Sequence, residues 1–78
     1  MLKVSITVRV SKSNMKSLHA LYAVSNKYQM GKNGVTAKDW HSVNDGQQVT
    51  VSFQFSSKES ADALLADPIF APLTEYLL

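Results

Sequence analysis

The chain contains no cysteine, only two prolines and three glycines, and no long run of apolar residues. Without cysteine, neither a disulfide nor a thiolate metal site can form. A membrane-spanning helix needs about 20 consecutive apolar residues, and the sequence offers none. The first ten residues, MLKVSITVRV, alternate between apolar and polar, whereas a signal peptide has a continuous apolar core. We therefore expect a soluble, cytoplasmic protein that does not insert into a membrane.

Charged residues are also scarce, and the net charge is only +2. A balance this close to neutral is not the electrostatic footprint of a nucleic-acid-binding protein. The 78 residues suffice for one small domain, residues 1–78, which buries only about 60% of its unfolded surface. Small domains without disulfides or metals often gain buried area by self-association. The composition therefore favours a single domain that would gain buried surface by forming a homodimer.

Three stretches predict β-strands. Residues 2–10 and 49–55 alternate strictly between apolar and polar side chains, which is typical of half-buried strands. Residues 34–43, GVTAKDWHSV, predict a further strand, although Asp39 and His41 break its alternation. The turn sequence NDG follows this strand, so strands 34–43 and 49–55 are expected to form a hairpin.

The helices are predicted from spacing and capping residues. Apolar residues recur at intervals of three and four from Met15 to Tyr28, which predicts an amphipathic helix capped by Ser11 or Ser13. A second, shorter helix follows the last strand, with Ser56 and Glu59 as its expected capping box. Its continuation is predicted to restart at Asp67-Pro68, with the aspartate as cap and the proline in the first position.

The element order is therefore β-α-β-β-α, an α+β fold with helices on one face of an antiparallel sheet. Phe53 and Phe55 share the phase of the apolar strand residues, so they are expected to face the helices rather than stack on nucleic-acid bases. The opposite, uncovered face is expected to be polar. If the middle strand keeps the phase of Val35, this face comprises Lys3, Ser5, Thr7, Arg9, Gln48, Thr50, Ser52 and Gln54, together with Thr36, Lys38, Trp40 and Ser42.

The stretch FQFSSKESADALLADPIF, residues 53–70, combines the end of a strand, a capped helix and a proline-initiated helical turn. It resembles the antibiotic-biosynthesis-monooxygenase family of dimeric α/β-barrel proteins, in which this region follows the pattern W-x-S-x-E-A-x-x-x-H-L-x-S-P-x-F. The matching positions are Ser57, Glu59, Leu65, Pro68 and Phe70. The resemblance covers most of the chain and implies a ferredoxin-like fold that dimerises into an α/β barrel.

The chain departs from this family at positions linked to its chemistry. Phe55 replaces the Trp that is important in haem-degrading members, and Leu64 replaces a His found in many members. The first-strand Asn of several members has no counterpart, since Ser5 and Thr7 are the only candidates. Family members also continue into a strand exchanged with the partner, whereas this sequence stops at Leu78. The resemblance therefore implies the fold and a homodimer more strongly than it implies oxygen chemistry.

Four residues are candidates for a ligand site: Trp40, His41, Arg9 and Tyr28. His41 is a possible acid or base, but neighbours on a strand point to opposite faces, so Trp40 and His41 share a site only if a bulge intervenes. The favoured interpretation places Trp40 at a dimer interface and His41 at the rim of the sheet. No spacing of His, Asp or Glu matches a metal site, and we expect no cofactor.

Two functions from different classes remain open at this point. The first is a non-catalytic module that binds a small organic ligand or, through its mildly basic side, an acidic protein partner. The second is a cofactor-independent monooxygenase or isomerase that acts on a small aromatic or quinone-like substrate, with Trp40, His41, Tyr28 and Arg9 as the only plausible participants. An enzyme of this kind needs a water-excluding cavity with convergent polar groups, and that requirement separates the two hypotheses.

Overall fold

The computed structural model describes residues 4–78, which form an α+β fold. The predicted strand residues Leu2 and Lys3 lie outside the described residues. The elements in chain order are β1 Val4–Ser11, α1 Met15–Lys27, β2 Val35–Val43, β3 Gln48–Phe55, α2 Lys58–Ala66 and a C-terminal 3₁₀ helix, Pro68–Tyr76.

The three strands form one antiparallel sheet in the order β1-β3-β2. Because β3 is antiparallel to both neighbours, β1 and β2 are parallel to each other and separated by β3, as in a split β-α-β unit. The end of the chain also meets the sheet. Val8 forms an antiparallel bridge with Leu77, and the Leu78 amide donates to the Thr7 carbonyl over 3.0 Å. The predicted antiparallel sheet is therefore confirmed.

The core lies between the sheet and the helices. Apolar residues alternate along β1 and β3 and point to the side that α1, α2 and the 3₁₀ helix cover, which is the origin of the period of two in the sequence. Phe53, Phe55 and Phe70 are the largest fully buried side chains, and Phe53 and Phe55 face the helices as predicted. Other members of this core are Ile6, Val8, Val10, Leu18, Leu21, Val24, Val49, Val51, Leu64 and Leu73.

The cap of α1 differs from the prediction. Asn14, not Ser11 or Ser13, caps the helix, and its Oδ1 accepts from the Ser17 amide over 3.2 Å. The hydroxyls of Ser11 and Ser13 instead hydrogen-bond to each other, 2.8 Å apart, in the turn that leaves β1. The Nδ2 of Asn14 also donates to the Tyr76 hydroxyl, so the same amide ties the helix start to the 3₁₀ helix. A local pattern does not reveal this long-range partner.

The cap of α2 is displaced by one residue. Ser57 occupies the N-cap and accepts from the Ser60 amide over 3.2 Å, so the predicted capping box of Ser56 and Glu59 is wrong. The amide of Ser56 instead donates to the carbonyl of Gly34, which extends the hydrogen bonding between β2 and β3 by one residue. Asp67 caps the 3₁₀ helix as predicted, since its Oδ1 accepts from the Ile69 amide over 3.0 Å.

A β-bulge near the start of β2 changes which side chains lie on which face. Val35 pairs with Phe55 and Ala37 pairs with Gln54, so the intervening Thr36 has no partner of its own. Paired residues of antiparallel strands point to the same face. Lys38, Trp40 and Ser42 are therefore on the helix side, and the expectation that they lie on the uncovered face is wrong. The uncovered face of β2 carries Ala37, Asp39, His41 and Val43.

Candidate functional site

The uncovered side of the sheet presents an ordered polar surface, which we call the open face. Residues opposite one another on the three strands form rows across it, because cross-strand partners share a face. From one end to the other, the rows are Ser5–Gln54–Ala37, Thr7–Ser52–Asp39, Arg9–Thr50–His41 and Ser11–Gln48–Val43.

The row Arg9–Thr50–His41 joins two of the four predicted site residues. The Nε of Arg9 donates to the Thr50 hydroxyl over 3.1 Å, and Thr50 is only 6% exposed although it lies on the open face. His41 pairs with Asp39, two residues before it on the same strand, with 3.1 Å between Nε2 and Oδ2. The structure therefore brings Arg9 and His41 to the same face on either side of a covered threonine.

A half-open depression of about 340 Å³ adjoins this row. Thr7 and Ser52 share a hydrogen bond of 3.0 Å between their hydroxyls within the part of the face that the depression occupies. The lining also includes Lys38, although the ammonium of that residue lies on the helix side. The complete lining is Ser5, Thr7, Ala37, Lys38, Asp39, Ser52 and Gln54. Hydroxyls, an amide and a carboxylate therefore dominate this surface.

Trp40 is not part of the open face. Its ring stacks on Tyr22 of α1, with 5.9 Å between the ring centroids and 30° between the planes. Both residues keep considerable exposure, 39% for Trp40 and 49% for Tyr22. Trp40 and His41 point to opposite faces, as the sequence analysis anticipated, because the bulge at Thr36 lies before both of them.

Tyr28 is a structural residue in the core. It is 4% exposed, and its hydroxyl donates to Asp67 Oδ2 over 2.7 Å. The Lys27 ammonium binds the same oxygen over 2.6 Å, which joins the end of α1 to the cap of the 3₁₀ helix. Burial, reinforced by the Asp67 carboxylate, raises the pKa of Tyr28 to about 12. Hydrogen bonds from Lys27, Tyr28 and the Ile69 amide lower the pKa of Asp67 to about 2.

Lys38 makes a contact that the sequence analysis missed. Its ammonium donates to the hydroxyl of Ser25 over 2.8 Å and to the Ser25 carbonyl over 3.0 Å, near the end of α1. A cation is favourable there because the carbonyl end of a helix carries partial negative charge. Burial nevertheless lowers the pKa of Lys38. The broken alternation at Asp39 and His41 was the sequence signal that β2 changes phase.

The described residues do not form a catalytic constellation. Asp39 and His41 form a histidine-carboxylate pair, but their side chains are 67% and 55% exposed, and the hydroxyl of Thr50 is bonded to Arg9 rather than to His41. A nucleophile activated by histidine requires a direct hydrogen bond between the two groups. Within residues 4–78, no group of three or more His, Cys, Asp or Glu side chains is arranged to hold a metal ion. None of the described helices has the length and apolar character needed to cross a membrane.

Comparisons with protein-family models, with curated proteins and with solved structures give no significant match to this chain. The geometry of the described residues is therefore the basis for the function proposed below.

Proposed function

We propose that the protein is a non-catalytic interaction module that acts as a homodimer and binds a small polar organic ligand on its open face. The observation that carries this proposal is the row Arg9–Thr50–His41 beside the polar depression. Small-ligand sites are concave and use a few well-placed polar groups to orient the ligand. The shared hydrogen bonds across the rows hold those groups in place before a ligand arrives.

The chemistry of the face supports a hydroxyl- or amide-bearing ligand with one acidic group. Among the described residues, Arg9 uses only its Nε, so the two terminal nitrogens of the guanidinium remain able to bind a carboxylate in a bidentate manner. Thr7, Ser52 and Gln54 offer donors and acceptors to neutral polar groups. Asp39 lies in the same depression and disfavours a ligand that carries several negative charges.

The finer fold assignment belongs to the same proposal. We infer a ferredoxin-like arrangement, because β1 and β2 are parallel around β3 and the Val8–Leu77 bridge adds the chain end beside β1. The face-to-face barrel of the resembled family is less well supported, since it would bury a largely polar surface. Ala37 and Val43 are the apolar strand residues that the register places on this face.

The alternative, an oxygenase or isomerase for a small aromatic or quinone-like substrate, has weaker support. Its four candidate residues do not converge, because Trp40 and Tyr28 lie on the helix side and Arg9 and His41 on the open face. Between residues 4 and 78, the strand positions of the open face hold no Phe, Tyr or Trp to stack on such a substrate, and His41 is the only ring among them. One exposed imidazole, already paired with Asp39, is a poor platform for stacking successive bases, so nucleic acid is not proposed as a partner. An acidic protein would compete for Arg9 and is the second partner class to test.

A nuclear magnetic resonance screen tests the proposal directly. Uniformly ¹⁵N-labelled protein is titrated with separate sets of hydroxy acids, neutral sugars, primary amides and quinone-like aromatics. We expect shifts of the Thr7, Arg9, Thr50 and Ser52 amides with hydroxy acids, and loss of those shifts in Arg9→Gln. Lys12→Gln, which removes a cation from the adjacent exposed turn, is the matched control and should bind normally. Shifts centred on Trp40 and Tyr22, or conversion of an aromatic compound, would contradict the proposal.

A further inference from the structure

β2 forms an edge of the sheet, and no strand within residues 4–78 pairs with its outer side. An edge strand presents free N–H and C=O groups that can pair with another strand. Proteins commonly protect such edges with proline or with lysine side chains. β2 has no proline, and its one lysine, Lys38, is turned to α1, where Ser25 binds its ammonium. Two other protective features are present: the bulge at Thr36, which lies before residues 37–43, and the inward-pointing charge of Lys38, which Ser25 binds. The segment 37–43 itself has neither a proline nor a bulge, so its backbone is regular enough to pair with another strand.

We propose that β2 is the dimerisation element, and that it pairs in antiparallel orientation with β2 of a second copy, in a register centred on Trp40. This inference rests on the homodimer half of the proposed function and is independent of its ligand.

Symmetry restricts the registers that are available. Two identical strands that pair in antiparallel orientation are related by a two-fold axis, and residues opposite each other must share a face. The axis must therefore pass beside one residue rather than between two. The regular part of β2 after the bulge runs from Ala37 to Val43, and Trp40 is its middle residue. Centring on Trp40 consequently pairs the entire regular segment with its own copy.

The same register gives complementary charges on the open face. Asp39 lies opposite His41 of the second copy, and His41 lies opposite the second copy's Asp39, which forms two equivalent cross-strand pairs. Opposite-charge or hydrogen-bonding pairs in this relation stabilise a sheet, whereas like charges destabilise it. Moving the centre to Asp39 or to His41 would oppose two aspartates or two histidines. Among these three registers, only the one centred on Trp40 opposes neither two aspartates nor two histidines.

The remaining contacts also fit. Ala37 meets Val43 of the second copy on the open face, and Lys38 meets Ser42 on the helix side. Trp40 meets its own copy on the helix side, and each of these indoles already rests on a Tyr22 ring. The partial exposure of Trp40 and Tyr22 would decrease in such a dimer, as expected for aromatic residues that anchor interfaces. The product is a continuous six-stranded sheet with both open faces on one side.

Cysteine cross-linking tests the register, because the chain itself contains no cysteine. Ala37→Cys protein is mixed with Val43→Cys protein under mild oxidation. Opposed residues in an antiparallel pair have Cα atoms about 4.5–5.5 Å apart, which a disulfide can span. We expect a linked heterodimer in the mixture and little linkage in either variant alone, since six residues of strand separate the identical positions by about 20 Å. Equal linkage in all three samples, or none in a protein that is dimeric, would overturn the register.

A charge exchange provides an independent test that needs no cross-link. His41→Asp places the new carboxylate opposite Asp39 of the second copy, at both symmetry-related positions. The dissociation constant should rise about tenfold, because the dimer loses two cross-strand pairs of ordinary strength. The double variant Asp39→His with His41→Asp exchanges the two groups and should restore the affinity of the original protein. Failure of this restoration contradicts the proposed pairing. The amide spectrum of His41→Asp shows whether this variant is folded, so that loss of the dimer is not confused with unfolding.

The possible outcomes separate this inference from the proposed function. The native protein could be a dimer that shows neither the predicted cross-link nor the predicted effects of the charge exchange, but that dissociates with Thr7→Lys on the open face. This result would overturn edge pairing and retain the homodimer. A monomeric native protein would overturn edge pairing and the homodimer together. Ligand binding at Arg9 is measured separately and stands or falls on its own result.

Discussion

Trp40 stacks on Tyr22 across the gap between β2 and α1, with 5.9 Å between the ring centroids. This contact exists because the bulge at Thr36 turns Lys38 and Trp40 to the helix side. It removes the largest aromatic of the chain from the open face and leaves that face to polar groups. The division of the four candidate residues between two faces is the main reason for preferring a binding module to an enzyme.

The Trp40–Tyr22 contact predicts a spectroscopic change in Tyr22→Ala. Loss of the ring should expose the only tryptophan, shift its emission to longer wavelength and lower the free energy of unfolding by about 0.5–1.5 kcal/mol. Fluorescence and urea unfolding measure both effects. Met15→Ala on the same helix is the control, because Met15 is exposed, and it should leave the emission unchanged. Unaltered emission in Tyr22→Ala would contradict the stacking.

Gly34 and Gly31 provide a matched comparison of steric and conformational effects. Both have positive φ, +79° and +83°, where an L side chain is strained by about 1 kcal/mol. A Cβ at Gly34 would lie 2.2 Å from Ser60 Oγ and 2.5 Å from Ser60 Cβ, whereas a Cβ at Gly31 meets nothing within 4 Å. We expect Gly31→Ala to cost about 1 kcal/mol and Gly34→Ala at least twice that, because α2 must move. Equal costs in thermal unfolding would contradict the close approach.

Asp67 predicts a loss of stability in acid. Its pKa is lowered from an ordinary value of 3.8 to about 2 in the folded protein, so folding favours the ionised form. The resulting stabilisation is fully present above about pH 4 and is lost as the pH falls towards 2. Asp67→Asn should therefore flatten the dependence of the urea midpoint on pH between 4 and 2. Asp62→Asn, which alters an exposed pair with Lys58, is the control and should retain the original slope.

Tyr28 predicts the corresponding behaviour in base. Its pKa is raised from 10.0 to about 12 in the folded protein, so folding favours the protonated form. The stabilisation is fully present below pH 10 and is lost between pH 10 and 12. Tyr28→Phe should cost about 1.5–3 kcal/mol at pH 7, because a hydrogen bond to a carboxylate disappears, and should reduce the slope above pH 10. Tyr76→Phe, which affects the Asn14 contact only, should leave that slope intact.

Much of the fold is encoded in local patterns, but the site is not. The strict alternation of residues 49–55 predicted β3 because one of its faces is buried throughout. In β2, Asp39 and His41 indicated that the alternation breaks, yet the sequence did not show that the extra residue lies at Thr36. The choice between adjacent serines 56 and 57 as a cap was likewise beyond a local pattern. It depends on the hydrogen bond from the Ser56 amide to Gly34, a partner remote in sequence.

The bond between Lys38 and Ser25 illustrates why the candidate site could not be assembled in advance. Neither Lys38 in β2 nor Ser25 in α1 belongs to a local pattern that points to the other residue. The bulge at Thr36 and the position of α1 bring the two side chains together. The sequence predicted Arg9 on the open face from the regular phase of β1, and the structure places it there beside Thr50. The prediction of Trp40 on the same face was wrong, because it depended on β2 keeping the phase of Val35 without a bulge.

The solution mass of the native protein, determined by light scattering after size exclusion at micromolar concentration, tests the central claim most directly. We predict a species of twice the 8.6 kDa chain mass. Its dissociation constant should rise about tenfold in His41→Asp and return to the original value in the exchanged Asp39→His, His41→Asp variant. A species of one chain mass at every concentration tested would contradict the homodimer and, with it, the pairing of β2.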